Sequence, residues 1–201
     1  MRRRRFTRPL GNRRYGKRFV LATEGERTEP QYFQPFDRQS SNVSVFCVRK
    51  PAGNAPRQVL RRMVNHLEQE DLRHGDEAWL IVDKDHWSDE QLGELYRWAC
   101  AAPNRHLGLS NPKFEYWLLL HFENGVGIRS ARDCEQRLRR YLPDYRKGLD
   151  TREFTRTQVE AAVERARQRD QPPCADWPRD VGSTTVYRLV AGILRAQDAH
   201  S

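Results

Sequence analysis

The sequence lacks the features that identify several common classes of protein. No apolar run is longer than five residues, which is far too short to cross a bilayer. No G-x-x-x-x-G-K-[ST] motif is present, so the chain has no P-loop for nucleotide hydrolysis. The four cysteines lie at least 34 positions apart, so no two have the spacing of zinc ligands. We therefore expect a cytoplasmic protein with buried free thiols, without a membrane span or a zinc site.

Acidic residues are absent from the first 18 positions, which contain nine of the 36 Lys and Arg residues. The rest of the chain balances 27 basic residues against 27 acidic ones, so this segment accounts for the whole net charge of +9. Because blocks of like charge resist folding and often bind nucleic acid, we expect residues 1–18 to form a flexible arm that contacts phosphate. Its candidate phosphate contacts are Arg2, Arg3, Arg4, Arg5, Arg13 and Arg14. The alternative is a solvated tail that promotes solubility.

Short apolar runs alternate with amphipathic segments between residues 19 and 124. The runs predict strands at residues 19–23, 42–48, 78–82 and 106–109. The amphipathic segments predict helices that begin near residue 28 and cover residues 56–73, 89–101 and 112–122. This alternation is typical of an α/β fold with a mostly parallel central sheet, here of about four strands flanked by helices.

The pattern changes after residue 124. Residues 131–142, 155–169 and 183–197 predict three more helices, separated by links that contain proline or glycine. We therefore expect a helical C-terminal part, residues 125–201, packed on an α/β core of residues 19–124.

Acidic residues follow two of the predicted strands. Glu24 ends the first strand, and Asp83 and Asp85 follow the third. Because ligands bind beyond the carboxyl ends of parallel strands, these acids meet if the two strands are neighbours. Residues i and i+2 of an extended chain project to the same side, so Asp83 and Asp85 can bind one hard cation such as Mg²⁺. The alternative is that they are ordinary turn or capping residues.

Two glutamates lie in the first turns of predicted helices. Glu29 follows the first strand, and Glu115 follows Ser110 at the end of the fourth. From these positions both can reach the same edge of the sheet. Alternatively, each stabilises the positive N-terminus of its own helix, by about 0.3–1 kcal/mol.

Three blocks of the sequence resemble the RloB-like family. The first is TEGERTEPQYF at residues 23–33, the second is VDKD at 82–85, and the third is SNPKFEYWLLLHF at 110–122. Their order and spacing match the family, and the likeness extends through STTVYRLV at 183–190. The length of the third block makes this resemblance more specific than a lone D-x-D motif.

The resemblance implies a Toprim-like domain, the metal-binding α/β fold of topoisomerases, primases and OLD-type nucleases. By position, Glu24 is similar to the Toprim glutamate, and Asp83 and Asp85 are similar to its D-x-D metal ligands. The OLD-type pattern has a further acid and a Ser-x-Glu element. Glu29 stands one residue later than that acid, and Ser110 and Glu115 are spaced more widely than Ser-x-Glu.

The expected function is therefore that of a nuclease that uses Mg²⁺ or Mn²⁺ to cleave the backbone of RNA or DNA. The family resemblance implies a phage-defence or restriction-linked system, with a separate ATPase as a partner. Lys113 stands where a smaller residue is expected and is a candidate phosphate contact. The alternative function is a non-catalytic subunit that senses nucleic acid within an ATPase-containing defence complex.

Three residues near these motifs have a second interpretation. His121 and Tyr116 lie in apolar helical patterns, so we expect them in the core rather than in catalysis. His86 borders the D-x-D motif and is either a proton shuttle or part of the hydrogen-bonded framework.

Overall fold

The computed structural model describes residues 16–38, 42–49, 56–85, 87–145, 148–149 and 154–199. The strands are β1 Lys17–Thr23, β2 Val43–Cys47, β3 Glu77–Asp83, β4 Arg105–Asn111 and β5 Ser183–Thr184. The helices are α1 Thr28–Arg38, α2 Pro56–Leu67, α3 Asp89–Cys100, α4 Phe114–Leu119, α5 Ala131–Leu138, α6 Arg156–Arg169 and α7 Val186–Asp198. No helix within these ranges has the length and apolar character that a membrane span requires.

The strands form one sheet in the order β2-β1-β3-β4-β5. The first four are parallel, and β5 pairs antiparallel with the end of β4. The predicted α/β fold with a mostly parallel sheet is therefore confirmed. The additional strand β5 is only two residues long. A segment of that length has no periodicity that a sequence pattern can reveal.

Helices cover both faces of the sheet, which explains why its central strands are apolar without interruption. Successive residues of a strand point to opposite faces, so Leu21 and Ile81 join one core and Ala22 and Leu80 the other. Helices α2 and α3 pack on the second face, where Met63 is fully buried.

The C-terminal helices pack on the first face, in the same core as β1 and β3. Residues 183–185, which the sequence predicted as helix, instead contain β5 and the cap of α7. The reason is backbone pairing with β4: Thr185 N donates a hydrogen bond to Leu109 O at 2.8 Å. The sheet and its hydrophobic core therefore contain residues from before and after position 124. This position is the predicted boundary between the α/β part and the helical C-terminal part.

The start of the sheet lies earlier than predicted. Strand β1 begins at Lys17, so the last two residues of the predicted arm belong to the sheet. Lys17 forms an ion pair with Glu77 at 2.6 Å, and Arg18 forms one with Glu70 at 2.8 Å. The predicted phosphate contacts Arg2, Arg3, Arg4, Arg5, Arg13 and Arg14 lie outside the described residues, as does His86.

Several side chains behave as expected for the core. Tyr116 is buried, and His121 is buried with Nε2 at 3.0 Å from the Tyr32 hydroxyl. The four cysteines are free thiols. However, only Cys134 is buried: Cys47 and Cys174 are half-buried, and Cys100 at the end of α3 is exposed.

Candidate metal centre

The ends of β1 and β3 lie side by side, which brings Glu24 to Asp83. Thr23 pairs with Ile81 in the parallel register, and Glu24 N donates to Ile81 O at 2.9 Å. The Glu24 carboxylate then accepts a hydrogen bond from the Asp83 backbone N–H, with Oε2 at 3.1 Å from the nitrogen. The two acids thus meet at the carboxyl edge of the sheet, as their positions after neighbouring strands predicted.

Trp87 fixes the orientation of Glu24. Its indole Nε1–H lies 3.1 Å from both carboxylate oxygens of Glu24 and is shared between them. Its own backbone N–H donates to Lys84 O at 2.9 Å, which closes the turn after β3. No local sequence pattern indicates this role, because the contact between Trp87 and the residue after β1 is a tertiary feature.

The Asp83 side chain is held by α4. Its Oδ1 accepts a hydrogen bond from Phe114 N, the first residue of that helix, at 2.8 Å. This contact helps to explain why α4 begins at Phe114, two residues later than predicted. Burial raises the pKa of Asp83 well above its usual range, and the charges of Glu29, Glu24 and Glu115 raise it further.

Glu29 is buried in the first turn of α1, with 5% of its surface exposed. Its Oε1 accepts a hydrogen bond from Gly25 N at 2.7 Å. Burial raises the pKa of Glu29 to about 7; backbone hydrogen bonds oppose this shift, while the charges of Glu115 and Glu24 add to it. A Cβ atom at Gly25 would lie 2.0 Å from Glu29 Oε2, so a larger residue at this position would displace the Glu29 carboxylate.

Glu115 completes a group of four acids from four elements of the chain. It lies in the first turn of α4, and its negative charge raises the pKa of both Asp83 and Glu29. We refer to Glu24, Glu29, Asp83 and Glu115 as the carboxylate cluster. Helix-terminus stabilisation alone does not account for Glu29 and Glu115, because they interact with acids from other elements.

Asp85 has a different environment from the cluster. Strand β3 ends at Asp83, so the extended geometry that aligned Asp83 with Asp85 in the sequence argument does not continue to Asp85. The Asp85 side chain is exposed, and its backbone N–H donates to Pro112 O at 3.0 Å.

Ser110 and Lys113 also have partners of their own. The Ser110 side chain is fully buried, with its hydroxyl 2.9 Å from that of Thr184, between β4 and β5. Lys113 Nζ forms an ion pair with Glu135 at 2.9 Å. Burial favours a lower pKa for Lys113, but the hydrogen bond to Glu135 and the charge of Glu115 outweigh it, so its pKa is raised. Lys113 therefore stays cationic beside the cluster.

Arg62 is a buried cation near the cluster that sequence reasoning missed. It lies on α2 with 8% of its surface exposed, and Nη2 donates to Thr23 O at 2.5 Å. Its Nη1 has no hydrogen-bond partner among the residues that the structure describes. Burial lowers the pKa of the guanidinium, which the charges of Glu26 and Glu29 oppose. An arginine on an amphipathic helix is normally assigned to the exposed face, so its sequence position carried no signal.

The cluster offers the chemistry of a Mg²⁺ or Mn²⁺ site. Its donors are all carboxylate oxygens, which hard divalent cations prefer. Their mutual repulsion and burial favour either protonation or a bound cation. In the part of the chain that the structure describes, no three or more His, Cys, Asp or Glu side chains are arranged to hold a metal ion. The acids would therefore have to move from these positions to share one ion, and the hydrogen bonds that Glu24, Glu29 and Asp83 accept from the chain favour their present orientations.

Fold and site together define an α/β protein with a parallel sheet whose carboxyl edge gathers acidic side chains. The family model described as RloB-like protein matches residues 19–193. The chain therefore belongs to the RloB-like family. Comparison with curated proteins found no match, and comparison with solved structures found none either.

Proposed function

We propose that this protein is a metal-dependent nuclease of Toprim type that hydrolyses the phosphodiester backbone of nucleic acid. The observation that carries the proposal is the carboxylate cluster at the carboxyl ends of β1 and β3, where the charges of the acids raise the pKa values of Asp83 and Glu29. Ligands of open parallel sheets bind at this edge. Membership of the RloB-like family supports a role in a phage-defence or restriction-linked system, with an ATPase as partner.

Glu24 and Asp83 are the first residues that would hold Mg²⁺ or Mn²⁺, with Glu29 and Glu115 close to them. Asp85 would join them from the turn after β3. A bound ion supplies a nucleophilic water at neutral pH and stabilises charge on the leaving oxygen. The chain's own part is to position the ligands: Trp87 orients Glu24, and the Phe114 N–H orients Asp83.

The direct test is cleavage of labelled RNA and DNA by the purified full chain with Mn²⁺ or Mg²⁺. We expect cleavage that EDTA stops. Asp83→Asn and Glu24→Gln should lower the rate by about 100-fold or more, because each removes a charged ligand. The matched controls are Asp71→Asn and Glu90→Gln, which change exposed acids outside the cluster and should keep the wild-type rate.

The result that contradicts the proposal is cleavage that survives in Asp83→Asn and Glu24→Gln, with both variants folded. Absence of cleavage with every metal and substrate, together with intact nucleic-acid binding, would instead support the alternative function. In that case the protein senses nucleic acid for an ATPase without cutting it.

A further inference from the structure

A cleft opens directly beside the carboxylate cluster. It encloses about 600 Å³, part of it open to solvent, which is within the size range of ligand sites. Glu115 lines the cleft and also belongs to the cluster, so a ligand in the cleft lies next to the proposed catalytic edge. A second cleft of about 580 Å³, lined by Tyr96 and Arg188, contains none of the cluster residues.

The lining of the first cleft combines an aromatic ring with hydrogen-bonding groups. Tyr145 supplies a half-buried ring that packs against the first core. Gln31 Oε1 accepts a hydrogen bond from Leu149 N, so the amide of Gln31 is fixed and its Nε2 remains a donor. Arg27 is an exposed cation at the rim. In proteins that bind RNA, aromatic rings stack on unpaired bases, and polar side chains form hydrogen bonds with the edges of those bases.

Two carboxylates line the cleft, Glu115 and Glu135, and they favour a ligand that carries hydrogen-bond donors. Ionised carboxylates accept hydrogen bonds and cannot donate them. Glu135 is held in place by Lys113 at 2.9 Å and Arg139 at 3.6 Å. A base that presents adjacent N–H donors on its pairing edge is therefore favoured by these two carboxylates. Guanine presents two adjacent donors there, whereas the pairing edge of uracil or thymine has one donor between two carbonyl oxygens.

We infer that this cleft binds one unpaired nucleobase of a single-stranded substrate, with guanine preferred over uracil or thymine. A base in a duplex uses its pairing edge for its partner and cannot offer that edge to the carboxylates. The inference rests on the proposed function, because the cleft adjoins the proposed catalytic edge. It narrows the substrate of that edge to single-stranded nucleic acid.

Binding of short fluorescein-labelled strands, measured by anisotropy with the full chain, tests the inference. Ca²⁺ replaces Mg²⁺ and Mn²⁺, and a gel checks that the strand stays intact. We expect the strand to bind about tenfold or more tightly than the same strand annealed to its complement. An all-uridine strand with one central guanosine should bind more tightly than the all-uridine strand. Equal affinity for strand and duplex, or equal affinity for the two uridine strands, would overturn the inference.

Variants of Tyr145 locate the site. Tyr145→Ala should weaken strand binding by about tenfold, because base stacking on the ring is lost, and Tyr145→Phe should keep it. The matched control is Tyr141→Ala, which removes an exposed ring that stacks on Phe122 outside the cleft. Melting temperatures identify a variant that fails to fold. If Tyr145→Ala folds and binds the strand with wild-type affinity, the inference is wrong. If this variant does not fold, the comparison of the two uridine strands still tests the inference, because it uses only wild-type protein.

Cleavage assays separate this inference from the proposed function. If Mn²⁺-dependent cleavage occurs equally on duplex and single strand, the proposed function stands and the inference is wrong. If the single strand binds selectively but no metal supports cleavage, the inference stands and the proposed function is wrong.

Discussion

The four acids of the carboxylate cluster have different local environments. Glu24 accepts hydrogen bonds from Trp87 and the Asp83 backbone, while Glu29 is almost fully buried against the Gly25 loop. Because burial disfavours the charged form of a carboxylate, the free energy of the metal-free fold depends on whether Glu29 is protonated. The pH dependence of stability at this residue therefore reports mainly its burial, with the charges of Glu115 and Glu24 adding to the effect.

The stability of the metal-free protein should report the Glu29 pKa. The folded-state pKa of about 7 exceeds the ordinary value of 4.5, so the folded protein binds this proton more tightly than the unfolded chain. The resulting stability is present below about pH 4.5 and is lost as the pH rises to about 7. Relative to wild type, Glu29→Gln should therefore gain about 2–3 kcal/mol in unfolding free energy between pH 5 and pH 8.

Urea unfolding in EDTA at the two pH values measures this difference. The matched control is Glu90→Gln, whose offset from wild type should not change with pH because Glu90 is exposed. If the difference in unfolding free energy between Glu29→Gln and wild type is the same at both pH values, the pKa of Glu29 is not raised in the folded protein.

Helix α2 lies on the second face of the sheet and helps to position the carboxylate cluster. It packs on the second face through Val59 and Met63 and extends Arg62 to the carbonyl of Thr23, the last residue of β1. This hydrogen bond holds the strand end from which Glu24 projects. An amphipathic helix thus contributes both to the core and to the position of the candidate site.

Replacement of Arg62 should destabilise the protein. Arg62→Ala leaves the Thr23 carbonyl without its side-chain donor and removes the buried aliphatic stem, at a cost of about 2–4 kcal/mol. Arg61→Ala changes an exposed arginine on the same helix and should stay within about 0.5 kcal/mol of wild type. Chemical denaturation of the three proteins measures the effect. Equal stabilities for the two variants would mean that Arg62 contributes nothing specific.

Charge is distributed unevenly over the whole molecule. The nine basic residues of positions 1–18 account for the net charge, and the remainder is balanced. Two of the nine, Lys17 and Arg18, form ion pairs with Glu77 and Glu70. The candidate site is acidic, so attraction of a polyanion to this protein has to come from elsewhere on the chain or from a bound cation.

Deletion of residues 2–15 should flatten the salt dependence of nucleic-acid binding. It removes seven arginines and leaves β1 intact. Each lost phosphate contact lowers the slope of log K against log salt by about 0.7–0.9. Mn²⁺ affinity should stay unchanged. As a control, the full-length chain with these seven arginines changed to glutamine separates the effect of charge from that of chain length. If the slope of log K against log salt is unaltered in both forms, the arm does not contact phosphate.

Local sequence was sufficient for most of the helices and strands and for part of the site. Uninterrupted apolar runs predicted β1 and β3 as covered strands, and an acid directly after each predicted a meeting of Glu24 and Asp83 at one edge. Both signals are local, because burial on two faces and the end of a strand are encoded by adjacent residues. The blocks around these acids also identified the family.

Tertiary structure alone decided the rest of the site. Trp87, Arg62 and Glu135 reach the site or its cleft from segments whose local patterns indicate a loop or an ordinary helix face. The two residues of β5 become a strand only because β4 offers them backbone partners. Contacts between distant segments depend on chain crossings and packing, and residue spacing along a single sequence does not encode them.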